Sequence, residues 1–283
     1  MNNNITVKEA ISKCDMLYWS TQKDRKNTLR NANVFLKFYG KNNLMNDVST
    51  ETIREFKYHL RINHKYSNDT INRKCAALSK LITYAKGCRG FIFNWGTPIV
   101  EYEKSNGRRK LIVTSEVENK LLSATKKLGY KEKVDLWVFL IEVGCRLSEA
   151  LKLSWNDVSE NFEYVHFSKT KNDEDRVVPI FGKVSNILKS RKERNLAKPF
   201  PFSISSVEWT WGKVRKYIGM SGEKEFVIHA LRHTSITRML RNKIGIEVAQ
   251  LVVGHKDIRM TQSYNHPTKE ELRSSMMAVK TIE

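Results

Sequence analysis

Several polar side chains in this 283-residue chain stand in apolar surroundings, with types and spacings that suit work on a phosphate ester. Arg146 follows an apolar run, in Gly-Cys-Arg-Leu-Ser-Glu. His229 and Arg232 lie three apart in His-Ala-Leu-Arg-His, so one helical turn sets both on the same face. His255 sits in Val-Val-Gly-His, and Tyr264 follows nine residues later. Lys169 and Lys171 fall in a polar stretch between two apolar ones. Two arginines suit a phosphate, because guanidinium forks pair with its oxygens and stay charged. A tyrosine hydroxyl can act as nucleophile when a base helps and the phosphate is clamped. Lysine or histidine can protonate the departing oxygen. This chemistry needs no metal, and no Cys or His spacing suggests one, so no cofactor is expected. Each element alone also has an ordinary reading: a helix face, a packed tyrosine, a solvated turn. Their order and spacing together favour the functional one.

The elements that would position these residues follow from hydrophobic periodicity. In the first third, helical stripes run over 6–19, 28–40, 50–62 and 70–86. Gly40 and Gly87 are stop signals, and Ser49 and Thr50 are cap candidates. Arg61, Lys65, Arg73, Lys74 and Lys80 lie between the stripes. They either grip DNA phosphates or merely solvate a small bundle. From 96 to 110 the periodicity lapses into a basic, Gly- and Ser-containing linker ending in Arg108, Arg109 and Lys110. Thr114 or Ser115 then caps a helix, with Glu118 placed for a capping box on Ser115. Residues 133–143 read as a buried helix ending at Gly144, and another helix begins near Leu147. Residues 162–180 read as a β-hairpin whose polar tip carries Lys169, Lys171 and Asp173–Asp175. Helices resume from 183.

Charge narrows the partner. Lys and Arg number 50 against 30 acids, a formal net of +20. The excess is distributed: residues 1–110 carry 21 basic and 9 acidic residues, and the remainder still carries a surplus. A globular protein basic along its length favours a polyanion, with nucleic acid the leading candidate. No apolar stretch approaches the ~20 residues of a membrane helix, and MNNNITVKEA lacks a signal-peptide pattern. Cys14, Cys75, Cys88 and Cys145 show no CxxC pairing and read as reduced thiols. Thirteen Gly and five Pro disfavour a turn-rich all-β fold.

Four blocks in this order resemble the tyrosine recombinase, or phage integrase, family. They are Gly144-Cys-Arg146-Leu-Ser-Glu149-Ala-Leu with Leu153-Ser-Trp-Asn-Asp157; Thr170-Lys171 through Arg176-Val-Val-Pro179; His229-Ala-Leu-Arg232-His233-Thr; and Val253-Gly-His255 through Tyr264. The resemblance covers roughly 110–283, and more weakly the helical bundle before it. It implies that Arg146 and Arg232 bind the scissile phosphate and offset charge as the pentacoordinate state forms. Tyr264 would attack phosphorus, leaving a 3′-phosphotyrosyl link and a 5′-hydroxyl. Lys171, with Lys169 as the fallback, would protonate the leaving oxygen. His229 would assist proton transfer at the tyrosine, and His255 would hydrogen-bond the phosphate. Glu149 and His233 would support the site from behind.

The resemblance further implies a mainly α fold with a small β-hairpin: a helical core-binding domain over 1–95, a basic linker over 96–110, and a mixed α/β catalytic domain over 111–283. The two domains would form a C-shaped clamp around DNA, gripped by Arg73, Lys74, Arg108, Arg109, Lys110 and Lys169. The partner would be double-stranded DNA attachment sites. A homotetramer would form on DNA through the C-terminal tail, whose apolar stripe is Leu272, Met276, Met277 and Val279. A DNA-bending accessory protein is a further candidate partner, and no membrane partner is expected. The location would be cytoplasmic, on the nucleoid. Phage or mobile-element integration is the favoured role. Dimer resolution, type IB topoisomerase activity and a catalytically silent DNA-binding regulator stand as alternatives.

Overall fold

The computed structural model describes residues 4–105, 111–168, 175–264 and 269–280. It is 61% helical, with a two-stranded antiparallel sheet, which is the mainly α architecture expected. The chain divides into two compact units, Met1–Arg108 and Arg109–Glu283.

The first unit is built on α1 (Val7–Cys14), α2 (Arg25–Tyr39), α3 (Thr50–Ile62) and α4 (Asn68–Lys86). Side-chain caps start three of them. Thr6 and Glu9 form a capping box on α1, Ser49 and Thr52 form one on α3, and Ser67 accepts from Thr70 N at the start of α4. The stripe expected over 6–19 is not one α-helix: α1 passes into a π-helical turn over Asp15–Trp19, which keeps Trp19 in the core. Phe35 and Phe56 meet edge to face at 5.2 Å in that core. The buried Asn46 accepts from Ile5 N and donates to Ile92 O, so one side chain joins the start of the unit to the segment after α4. Lys74 departs from the basic outer face expected for it. It is buried, with its ammonium 4.4 Å from the Tyr66 ring centroid, and burial holds its pKa below the usual lysine value. Arg73, its neighbour on α4, is exposed.

Part of the stretch read as a linker is strapped down within this unit. Asn72 on α4 donates to Glu103 O and accepts from Glu103 N, both at 2.8 Å, as a β-partner would. Asn68 donates to Lys104 O, and Lys57 and Arg61 on α3 pair with the Glu103 carboxylate. Periodicity does not reveal this, because side-chain amides and charged groups of α3 and α4 take much of the hold on the backbone.

The second unit contains α5 (Ser115–Lys127), α6 (Lys131–Val143), α7 (Leu147–Lys152), strands β1 (Tyr164–Phe167) and β2 (Arg176–Pro179), then α8 (Lys183–Glu193), α9 (Ile204–Tyr217), α10 (His229–Arg241), α11 (Ile246–Val253), α12 (Ile258–Gln262) and α13 (Lys269–Lys280). Helix α6 is the core element: Leu136, Trp137, Phe139, Leu140, Ile141 and Val143 are all buried, and it packs against α5, α8 and α10. The Trp137 indole N–H donates to Thr125 Oγ1, which satisfies it inside the core. Thr114, not Ser115, caps α5 by accepting from Val117 N. The expected Ser115–Glu118 capping box does not form, because Glu118 pairs with Arg238 on α10 at 2.6 Å. The strands pair Tyr164 with Pro179 and Phe167 with Arg176. Val165, Phe167 and Val178 turn into the core while Tyr164 and Val177 face out, the two-residue period of a half-buried hairpin. On α13, Leu272, Met276 and Met277 are exposed.

Phe35 and Phe139 anchor separate cores. Phe35→Ala and Phe139→Ala should each lower unfolding stability by about 3–5 kcal/mol, measured by urea titration. Tyr58→Ala, at a residue 65% exposed, should change it by no more than ~0.5 kcal/mol. A comparable loss from all three would contradict these core assignments.

Candidate active site

The site is organised around the elbow between α6 and α7. Gly144 ends α6 at φ +68°, the left-handed conformation in which a side chain is strained. A Cβ here would also lie 2.7 Å from Ser235 Oγ on α10. Glycine therefore permits both the turn and the close approach of α10. The Gly144 carbonyl accepts from Arg232 Nη1 at 2.7 Å. Arg146, two residues on, is the N-cap of α7. Arg146 and Arg232, 86 positions apart in sequence, thus hang from the same elbow.

Glu149 orients Arg146 twice over. Its Oε2 accepts the Arg146 backbone N–H at 2.8 Å, and its Oε1 accepts from Arg146 Nη1 at 2.7 Å. Arg146 Nη2 also reaches Gly254 O at 3.4 Å. Burial works against the Glu149 charge, but hydrogen bonds and charge from Arg176 and Arg146 outweigh it and hold the carboxyl below the usual range. Arg232 is 3% exposed, and burial together with the nearby Arg146 charge lowers its pKa to about 10. It stays cationic at neutral pH. The two guanidiniums repel each other, so the elbow is a place where an anion is favoured.

The histidines and the tyrosine gather alongside. His229 and His233, one turn apart on α10, have ring centroids 4.7 Å apart. The Tyr264 ring lies 5.1 Å from His233 and 6.0 Å from His255. His255 is buried, its Nδ1 is 2.9 Å from Thr261 Oγ1, and its carbonyl accepts from Gln250 Nε2. With Nδ1 engaged, Nε2 is the nitrogen that can serve a ligand. Burial, then the Arg232 and Arg146 charges, push the His255 pKa down to about 3. At neutral pH it is a neutral hydrogen-bonding group. A cavity of about 390 Å³ borders Cys145, His229, Arg232 and Trp211. Burial raises the Cys145 thiol to about 12, which leaves it an inert thiol.

Seven residues singled out in the sequence are therefore brought to one region: Arg146, Glu149, His229, Arg232, His233, His255 and Tyr264. Lys169 and Lys171 lie outside the described residues, as do Arg108, Arg109 and Lys110. The strands on either side of the lysines are in place, ending at Phe167 and resuming at Arg176.

In the sequence Arg176 has no role beyond its place in the Thr170–Pro179 block. Its side chain is 8% exposed, donates from Nη2 to Glu149 Oε2 at 2.7 Å and from Nε to Val252 O at 2.9 Å, and lies over the Phe167 ring. The strand period held the clue: Arg176 shares a face with Val178, which is buried. Thr261, 0% exposed and bonded to His255, was missed as well, and its neighbours in sequence carry no sign of it.

Comparison with known proteins gives the family. Residues 112–271, more than half of the chain, match the phage integrase family. The chain belongs to this family of tyrosine recombinases. It is 25% identical over 230 residues to tyrosine recombinase XerD of Lacticaseibacillus casei, across 74% of this chain and 77% of that protein. It is 25% identical over 252 residues to a tyrosine recombinase of Thermosipho africanus, across 84% and 86%. Among solved structures, a Tn1549 transposon integrase in complex with a circular intermediate DNA superposes with a TM-score of 0.77 at 19% identity, covering 97% of this chain and 99% of that one. A lambda integrase dimer bound to a COC' core site superposes at 0.78 with 18% identity, covering 93% and 78%. These two share the fold. As a tyrosine recombinase, the protein is an enzyme of DNA strand cleavage and rejoining.

His255 and Glu149 both have depressed pKa values in the folded recombinase. The stability that such groups contribute is present above their unfolded values and lost as pH falls toward the folded ones. For His255 the window runs from about 6.5, its ordinary value, down to about 3, with a limiting slope of about 1.4 kcal/mol per pH unit for one proton. Urea titrations between pH 7 and pH 4 should show stability falling with pH. His255→Gln, which cannot take up that proton, should flatten the slope. An unchanged slope in the variant would show that His255 is not buried in its neutral form.

Proposed function

We propose that this recombinase is a site-specific integrase that cuts and rejoins DNA through a 3′-phosphotyrosyl link at Tyr264. The observation that carries the reading is the elbow itself: two like-charged guanidiniums, from Arg146 and Arg232, held beside the His229, His233, His255 and Tyr264 cluster. Such an arrangement is unfavourable when empty and favourable around a phosphodiester. The two arginines offset charge as the pentacoordinate state forms, and neutral His255 donates from Nε2 to a non-bridging oxygen. The Tyr264 oxygen bonds to phosphorus as the bond from phosphorus to the 5′-oxygen breaks. The tyrosine proton passes toward His229, and Lys171, assigned by its motif, delivers a proton to the departing oxygen. In the reverse step a 5′-hydroxyl, from the same or a partner duplex, attacks phosphorus and frees Tyr264. The phosphotyrosyl link conserves the bond energy, so no ATP is consumed.

The partner is double-stranded DNA, in keeping with the +20 charge and with neighbours in the fold whose structures contain DNA. Arg73 and the basic run Arg108–Lys110 contact phosphates in this reading, whereas the buried Lys74 supports Tyr66. The exposed Leu272, Met276 and Met277 on α13 are covered by a second copy in a tetramer on DNA. The likeness to a transposon integrase favours a mobile-element role. The likeness to XerD favours resolution as the second reading.

DNA covalently bound to the protein can be recovered from cells under denaturing conditions and sequenced. Wild type should yield a defined site and Tyr264→Phe none, while native binding persists; linkage by the variant would remove Tyr264 from its role. DNA spread over the genome would instead indicate a topoisomerase. Arg146→Lys or Arg232→Lys should slow covalent-complex formation by about 100-fold or more, with a far smaller loss of affinity. Affinity should fall by about 0.9 log units per log unit of salt for each phosphate neutralised, and a flat salt response in a filter-binding titration would contradict the phosphate clamp.

A further inference from the structure

Arg176 touches the supports of two residues assigned to the phosphate. The first support is Glu149. Its Oε2 accepts both the Arg146 backbone N–H and Arg176 Nη2, at 2.8 and 2.7 Å. The second is the end of α11. Arg176 Nε donates to Val252 O at 2.9 Å, three residues before His255. That carbonyl belongs to the last turn of a helix, where intrahelical partners run out. The fork thus ties the α7 start and the α11 end to one strand residue.

Three observations show that the guanidinium is held in place. It lies 4.5 Å from the centroid of Phe167, the residue opposite it in the strand register. Its side chain is 8% exposed. A Cβ on Gly254 would come within 2.9 Å of its Nη1. Gly254 is at φ +68°, immediately precedes His255, and offers its carbonyl to Arg146. The glycine leaves room for the guanidinium against the turn that carries His255.

We propose that Arg176 is a positioning residue of the phosphate site, one that orients Arg146 through Glu149 and seats the Gly254–His255 turn through Val252. The proposal rests on the assignment of Arg146 and His255 to the scissile phosphate. Its chemistry is geometric. A guanidinium presents parallel donors in a rigid plane, so it spans a carboxylate oxygen and a helix carbonyl at once. Lysine in its place keeps the charge and can satisfy one acceptor or the other in this geometry. Arg232 is the internal control, because it hangs from Gly144 O rather than from any partner of Arg176.

The test uses the purified full chain, with NMR of arginine side-chain Nε–Hε and histidine ring signals and with inorganic phosphate as the probe. In Arg176→Lys without phosphate, the Arg146 and His255 signals should move while the Arg232 and core methyl signals hold. Phosphate affinity should fall by about tenfold, the worth of one hydrogen bond to a charged group. Phe167→Leu removes only the ring beneath the guanidinium and should move Arg146 in the same direction by less, which keeps the test available if the lysine variant folds poorly. Arg146 and His255 signals unmoved in both variants would overturn the proposal. So would movement of Arg232 and the core along with them, which would reduce Arg176 to a scaffold residue. If wild-type Arg146 and Arg232 ignore phosphate, the phosphate-site reading fails separately, and the signals without phosphate still report whether Arg176 positions Arg146.

Discussion

Two cations held at one elbow constrain everything around them. Arg146 and Arg232 repel, and Arg232 is buried deeply enough for its pKa to fall to about 10. A buried charge without compensation is costly. Two features meet that cost here. Glu149 carries the opposing charge, held ionised by Arg146 and Arg176. Backbone carbonyls of Gly144 and Gly254 take guanidinium donors directly. What remains uncompensated is net positive charge at the place where a phosphodiester would lie. In the proposed function this positive charge is preorganised for a phosphodiester.

The rest of the second unit serves that placement. Helix α6 is apolar on nearly every side, which fixes its C-terminal end, and with it Gly144, relative to α10. Helix α10 brings Arg232 to the Gly144 carbonyl and holds His229 and His233 one turn apart. Strand β2 turns Arg176 inward, where it meets both Glu149 and the end of α11. Gly144 and Gly254, both at φ +68°, sit where main chain must pass close to another element's side chains. Neither site tolerates a Cβ without displacing Ser235 or Arg176.

Neutrality of His255 is a product of the same arrangement. Burial disfavours a proton on this ring, and the nearby charges of Arg232 and Arg146, the arginines proposed to bind the phosphate, add to the effect. The histidine is thereby kept as a donor of fixed geometry, with Thr261 holding its other nitrogen. In the first unit, charge is handled differently. Glu103 takes up Lys57 and Arg61, and side-chain amides of α4 fasten the backbone that follows, so part of a segment without helical pattern is nonetheless ordered.

The sequence by itself determined the helices through α7 apart from the π-helical turn, the hairpin, both stop glycines and the residue types that suit a phosphate. These are local properties: periodicity, caps and turn residues are read along the chain within a few positions. Tertiary structure alone decided which polar groups share a partner. Glu118 is three residues from Ser115 but pairs with Arg238, and Lys74 follows the exposed Arg73 yet packs on Tyr66. Arg176 is only part of a motif block in the sequence, and the strand pairing and burial bring it to Glu149. Thr261 became a support for His255 only when α12 folded back beside it. Such pairings depend on where elements meet in space, whether 6 or 120 residues apart in sequence, and they leave no periodic trace in the chain.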